Sequence, residues 1–328
     1  MELVDSMLQG SDKALARLIT MVEREGPEVP QIMSHIYPRL GKAHFVGITG
    51  PPGGGKSTTV DRLTAQMRKR GHSVGILAAD PTSPFTGGAV LGDRIRMQDH
   101  YLDKGVFIRS MATRGSRGGL PRTARGVLKL LDASGKDYVL VESVGVGQTE
   151  LDIMEAVDTV VVVLVPEAGD TIQTMKAGLL EIADVFVVNK ADREGADYLV
   201  IELEQMLRMS TKESWWEVPV LTTQAVNDIG IEELFNQIER HRGALNESSE
   251  ITLRRCEQRK AEFQETIEQG IRARIMELAA RDSQLLASLK MVESGELDPY
   301  SASLEVLTNK ALLHAWLACL DEETPKGL

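Results

Sequence analysis

Apolar and polar positions divide the 328-residue chain into three stretches. Between residue 3 and about residue 40, Leu15, Leu18, Ile19 and Val22 recur at the spacing of one helix face, and Ser11 or Asp12 stands where a cap would begin it. Gly26-Pro27 interrupts this stretch, so a second, short helix is expected after it. From Phe45 the rhythm changes. FVGITG, SVGILAAD, GVFIRS, YVLVES, TVVVVLVP, VFVVNK and VPVLTT are short runs, rich in valine and isoleucine and apolar at consecutive positions. Such runs suit strands covered on both faces, and the helical stretches between them predict βαβ units and a mostly parallel sheet. Beyond about residue 248 the strand signal ends. Phe263, Ile267, Ile271, Ile275 and Leu278 form a helical stripe, and Asp298-Pro299 opens a further helix with Leu304, Leu307, Ala311 and Leu312 on one face. This stripe needs a surface to cover it, on the same chain or on a second subunit. The expected organisation is a helical extension over 1–42, an α/β domain over 43–246 and a helical segment over 247–328.

Composition narrows the function classes. The chain is 42% hydrophobic and 26% charged, ordinary values for a soluble globular protein, and its net charge is −11. That balance argues against a general nucleic-acid or anionic-membrane footprint, which needs a basic face. Cys256 and Cys319 stand far apart and suggest neither a disulfide framework nor a zinc module. The N-terminus lacks the apolar core of a signal peptide, and Val160 to Val165 is too short to span a bilayer, so the cytoplasm is the expected compartment.

The most specific chemistry lies at Gly50-Pro51-Pro52-Gly53-Gly54-Gly55-Lys56-Ser57, which fits GxxxxGK[ST] at every fixed position. It follows a predicted strand and precedes a predicted helix, Ser57 to Arg70, the context a phosphate-binding loop requires. Glycines let the backbone N–H groups wrap phosphates at a helix N-terminus. Lys56 suits the β- and γ-phosphates, the Ser57 hydroxyl suits Mg²⁺, and Thr58 continues the hydroxyl run. Asn189-Lys190-Ala191-Asp192 follows a later strand, and an NKxD loop suits guanine. Its carboxylate accepts from the ring N1–H and the exocyclic amine; adenine offers neither donor, so the acid would stay unpaired. The loop from Thr222 through Gln224, Ala225 and Val226 is where a second base contact would fall.

Three acids stand at strand ends or in the loops after them: Asp80, Asp93 and Glu142. With Ser57 they are the candidate Mg²⁺ ligands, since such ions take few protein ligands, mostly carboxylates. Glu142 opens ESVGVGQ, where Gly145 offers an N–H to a γ-phosphate and Gln148 is the candidate for orienting the attacking water. Lys176 lies just beyond the loop PEAGDT, and reads either as a nucleotide or partner contact or as a solvated helix lysine. Arg109, Arg114, Arg117, Arg122 and Arg125 make the only dense basic stretch, either a solvated face or a patch toward a partner or a phosphate. The six histidines lack metal-ligand spacing and read as structural or exposed, and Trp215-Trp216 as packing at a helix end.

Taken in order, GPPGGGKSTT, AADPTSPFTGGAVLGDRIRM, RGSRGGL, ESVGVGQTELD, PEAGDTIQTMKAG and NKAD resemble the MeaB/ArgK family of P-loop GTPases, the GTPase chaperones of methylmalonyl-CoA mutase. The resemblance covers about residues 40 to 245 and implies a P-loop NTPase of SIMIBI type, a group marked by a glutamate where Glu142 stands. It implies a homodimer whose C-terminal helices form the dimerisation arm. It also implies a slow, Mg²⁺-dependent GTPase that is stimulated by an adenosylcobalamin-dependent mutase and gates its cofactor loading. By carry-over, Lys56, Ser57, Asp80, Asp93 and Glu142 serve phosphate and Mg²⁺, and Asn189, Lys190 and Asp192 serve guanine. Residues 80–96, 142–154 and 165–176 are the implied switches, with Lys176 coupling the last to the partner. Gln224 departs from the family pattern, which has serine before the alanine. A metallochaperone-type GTPase and a transport-protein kinase are the competing readings.

Overall fold

The computed structural model describes residues 1–80, 97, 99–112, 120–144, 151–166, 182–209, 215–279 and 282–310. The chain opens with α1 (Glu2–Leu8), α2 (Asp12–Glu23) and α3 (Val29–Ile36). Gly10, at φ +93°, separates α1 from α2, one break more than the periodicity predicts. The Ser11 hydroxyl accepts the Ala14 N–H at 3.3 Å and starts α2. The strands and helices that follow are β1 (His44–Thr49), α4 (Lys56–Lys69), β2 (Val74–Asp80), β3 (Val106–Ala112), α5 (Ala124–Ala133), β4 (Tyr138–Glu142), α6 (Leu151–Met154), β5 (Thr159–Leu164), β6 (Val185–Asn189), α7 (Ala196–Met209), β7 (Val220–Thr223), α8 (Ile231–Glu247), α9 (Glu250–Ala279), α10 (Ser283–Glu293) and α11 (Pro299–Thr308).

Among the described residues seven strands form one sheet, in the order β3-β2-β4-β1-β5-β6-β7, with every pairing parallel. Successive strand residues point to opposite faces, and both faces are covered, which explains the unbroken apolar runs. In β4, Val139 and Val141 join the core with Leu15, Leu18 and Leu131, while Tyr138 and Leu140 join the other core with Leu63, Met67 and Phe235. The first three helices therefore cover one face of the sheet and belong to the same compact unit, Met1–Gln258. Three of the five arginines in the basic stretch are held within it: Arg109 pairs with Glu23, Arg122 with Glu25, and Arg125 with Glu155 at 2.7 Å. Arg114 and Arg117 lie outside the described residues.

At the amino ends of the strands, acids cap the turns. Asp132 accepts the N–H groups of Lys42 and Ala43 at 3.0 and 2.9 Å. Asp158 accepts from Phe45 N–H at 2.9 Å and Asp184 from Val160 N–H at 2.8 Å. These last two carboxylates also each take a two-pronged arginine from α9. Arg255 reaches Asp158 at 2.9 and 2.7 Å, and Arg254 reaches Asp184 at 2.9 and 3.0 Å. The second unit, Arg259–Leu328, carries the rest of α9, then α10 and α11. Its predicted stripe is visible as exposed Phe263, Ile267 and Ile271. Asp298 caps α11, accepting the Ser301 N–H at 2.9 Å.

Candidate nucleotide site

The sheet order puts β1 between β4 and β5, so the loop after β1 emerges flanked by the carboxyl ends of both neighbours. The first residue of that loop must be glycine. Gly50 has φ +136°, and a Cβ there would lie 2.0 Å from the Val163 carbonyl oxygen of β5. The loop closes with Gly54 N–H donating to the Pro51 carbonyl at 3.2 Å, and α4 begins at Lys56 after Gly55 in the left-handed region. Pro52 and Gly53 are exposed, whereas Pro51, Gly54, Lys56 and Ser57 are buried and Gly55 and Thr58 half-buried. Lys56 Nζ donates to the carbonyls of Gly50 and Pro51 at 2.9 and 3.1 Å, so its charge is folded back over the loop. The Ser57 hydroxyl donates to Glu142 Oε1 at 2.7 Å. The register explains that meeting, because Glu142 pairs with Ile48 of β1 on one side and Ala78 of β2 on the other.

Asn189 ends β6 and joins three parts of the site. Its Nδ2 donates to the Gly54 carbonyl at 2.9 Å, and its Oδ1 accepts from Thr223 Oγ1 and Ala225 N–H, both at 3.1 Å. One amide thus connects the phosphate loop to the loop after β7. Lys190 follows at φ +57°, and Ala191 N–H donates to the Thr223 carbonyl at 3.0 Å, pinning the NKAD turn. Asp192 and Val226 are exposed, and Gln224 turns its amide oxygen to Asn227 Nδ2 at 3.1 Å. Asp80 is the last residue of β2, two positions beyond the residue paired with Glu142. The Asp80 side chain, and Asp93, Gly145, Gln148 and Lys176, lie outside the described part of the chain.

The donor set suits a nucleotide with its ion. A glycine loop with no room for a Cβ at Gly50 or Gly55 opens a helix N-terminus, a buried ammonium stands over it, and a hydroxyl and a carboxylate are already joined beside it. One participant was missed in the sequence, Val163, whose carbonyl forms the wall behind Gly50; Thr223, which holds Asn189, falls within the stretch named there for a second base contact. The wall carries no sequence signal, because any residue offers that carbonyl. Thr223 was legible only as part of the loop after β7.

The chain is similar to known proteins along most of its length. The profile of the family described as "Methylmalonyl Co-A mutase-associated GTPase MeaB" matches residues 15–280. A relative from Pyrococcus horikoshii that carries a GTPase name is 50% identical over 313 residues, 93% of this chain and 96% of its own. The mouse mitochondrial methylmalonic aciduria type A homolog is 30% identical over 319 residues, 92% of this chain and 77% of its own. Among solved structures, one named as a LAO/AO transport system kinase superposes with a TM-score of 0.70 at 26% identity, covering 93% of this chain and 95% of its own.

Proposed function

The chain belongs to the MeaB family of GTPases, and from that premise we propose that its GTP cycle acts as a timer on an adenosylcobalamin-dependent methylmalonyl-CoA mutase, gating cofactor loading and protecting or reactivating that enzyme. The reaction is Mg²⁺-dependent hydrolysis of GTP to GDP and phosphate. Bound Mg²⁺ supplies charge neutralisation on the phosphates. Lys56 serves the phosphates from its place over the loop, and Ser57 and Glu142 serve the metal side with Asp80 and Asp93. Asn189, Lys190 and Asp192, with the loop at Gln224, Ala225 and Val226, serve guanine. The observation that carries the reading is Asn189, which ties the phosphate loop to the base loop through Gly54 and Ala225. The family's name supports the mutase as partner. Exposed Phe263, Ile267 and Ile271 on α9 support a homodimer through the C-terminal helices. Among the described residues no helix is long and apolar enough to cross a membrane, and we place the timer in the cytoplasm.

The test is steady-state GTP hydrolysis by the full chain, alone and with purified methylmalonyl-CoA mutase, using Lys56→Ala as the blank. Turnover that rises on adding the mutase, with a complex on gel filtration, is the expected result. No stimulation and no complex would leave the GTPase standing without this partner. With γ-labelled GTP the label is expected in free phosphate; label retained on a protein would favour a transport-system kinase, the activity named for the solved neighbour.

A further inference from the structure

Below the phosphate loop, α4 carries a second set of contacts that nucleotide binding does not use. Ser57, Asp61 and Arg68 follow one another at steps of four and seven residues, so they share one face of the helix. His100 Nε2 lies 3.3 Å from Asp61 Oδ1 and 3.1 Å from the Asp61 carbonyl oxygen, gripping side chain and backbone of one turn. Further down, Arg68 makes a two-pronged pair with Asp103 at 2.8 and 2.9 Å, and donates to the His72 carbonyl at 2.7 Å. Met97 is buried in the core that holds Val60, Leu63 and Met67 of α4.

These contacts set a direction. The chain from His100 to Asp103 descends α4, with Asp103 at the foot and His100 one turn below Ser57. That turn corresponds to a rise of about 6 Å. Met97 and the Arg68–Asp103 pair anchor the same segment to α4. A buried polar pair costs desolvation that an apolar contact would avoid, yet the side chains of His100 and Asp61 are only 9% and 12% exposed. Hydrogen bonding to Asp61 raises the His100 pKa against the opposing effect of burial, and Asp99 adds to the rise. Arg62 Nε stands 3.8 Å from the second Asp61 oxygen. His100 therefore holds this turn of α4 by its hydrogen bond to the Asp61 carbonyl, with the carboxylate close beside it.

We infer that His100 and Asp61 are positioning residues for Mg²⁺-dependent GTP hydrolysis: the pair locks the segment at His100 to the face of α4 that ends in Ser57, and so holds the metal side of the site in register. The inference rests on the assignment of Ser57 to Mg²⁺. Small displacements of catalytic groups cost large factors in rate, which is why a lock one turn away matters to turnover.

The test compares wild type, His100→Leu, His100→Gln and Asp61→Asn in Mg²⁺ titrations of steady-state hydrolysis, with thermal unfolding beside them and Ser57→Ala as the reference for the metal. In His100→Leu, kcat is expected to fall about tenfold and the half-saturating Mg²⁺ concentration to rise. The KM for GTP is expected to hold, while the unfolding midpoint is expected to fall, since Asp61 is left buried without its partner. His100→Gln, which keeps an N–H donor, is expected to recover most of kcat. Wild-type kcat and Mg²⁺ dependence in His100→Leu would overturn the inference. So would equal impairment of kcat in His100→Leu and His100→Gln, which is the signature of structural support alone. If His100→Leu does not fold, Asp61→Asn decides in the same way, since it keeps volume and removes charge. Wild-type Mg²⁺ dependence in Ser57→Ala would instead overturn the metal assignment beneath it.

Discussion

At Gly50 one hydrogen atom separates a working turn from a collision, because a methyl group would sit 2.0 Å from the Val163 carbonyl oxygen. Gly50→Ala must displace the loop or β5, both of them backbone with nowhere to go. We expect it to lose most GTP affinity in equilibrium titration and to lower the unfolding midpoint as well, since strain at such a position costs about 1–3 kcal/mol. Asp192 is the opposite case. It is exposed, so Asp192→Ala is expected to leave stability within about 0.5 kcal/mol. Its GTP affinity should fall by about a hundredfold or more with ATP binding unchanged, because only guanine offers the carboxylate two donors. Competition titration with both nucleotides checks this. Lys56 and the NKAD loop were legible as residues because their chemistry depends on identity and spacing. The wall at Val163 was not, because a carbonyl belongs to every residue.

Among the elements, α9 shows what a periodicity alone conceals. Its later residues display the expected stripe, while its first turns are fixed by charge: Arg254 and Arg255 clamp Asp184 and Asp158, and Gln258 donates to the Val157 carbonyl at 2.8 Å. Asp158 is fully buried, so Arg255→Ala leaves a carboxylate in the interior without its cation. Breaking such a pair costs about 3–5 kcal/mol, and chemical denaturation of this variant is expected to show a loss of that order. Asp158→Asn placed on top should return part of it, since the amide removes the unpaired charge. Neither arginine stood out in the sequence, where both sit among other charged residues ahead of the stripe. Their partners lie about 70 and 97 residues earlier in the chain, a separation no local pattern reports. The basic stretch gave the converse lesson: Arg109 and Arg122 are tied to Glu23 and Glu25 at the end of α2, and Arg125 to Glu155 just after α6, so two of these three fasten the N-terminal helices.

For the whole molecule the same foot of the sheet sets a pH limit. The His44 ring meets the Thr159 hydroxyl at 2.8 Å, and that hydroxyl meets His241 Nδ1 at 2.8 Å. The hydroxyl has one proton, so it donates to one ring and accepts from the other. Burial pushes the His44 pKa down from 6.5 to about 4, with Asp158 opposing. A neutral His44 therefore accepts its proton more readily in the unfolded chain. The associated stability is complete above the unfolded pKa and is lost as pH falls from 6.5 toward 4, by about 3 kcal/mol over that window. Asp184 adds a lower window. Burial raises its pKa, but His241 and Arg254 outweigh that and hold it at about 2, so its contribution is lost as pH falls from 3.8 toward 2. Unfolding midpoints measured from pH 7 to 4.5 are expected to decline, and His44→Gln is expected to flatten that decline.

The sequence by itself determined the α/β class, the parallel sheet, the helical ends and the phosphate and guanine motifs. Each depends on local spacing or residue identity: consecutive apolar runs require two covered faces, GxxxxGK[ST] carries its own donors and NKxD its own acceptor. Only the tertiary structure decided what those parts touch. It placed Ser57 against Glu142, 85 residues away, through the pairing of β1 with β4. It made Asn189 the tie between the phosphate loop and the loop after β7, and set His100 beside Asp61 on the helix that begins at Lys56. Such contacts come from strand order and helix packing, and these are fixed by the burial of both faces of the sheet together.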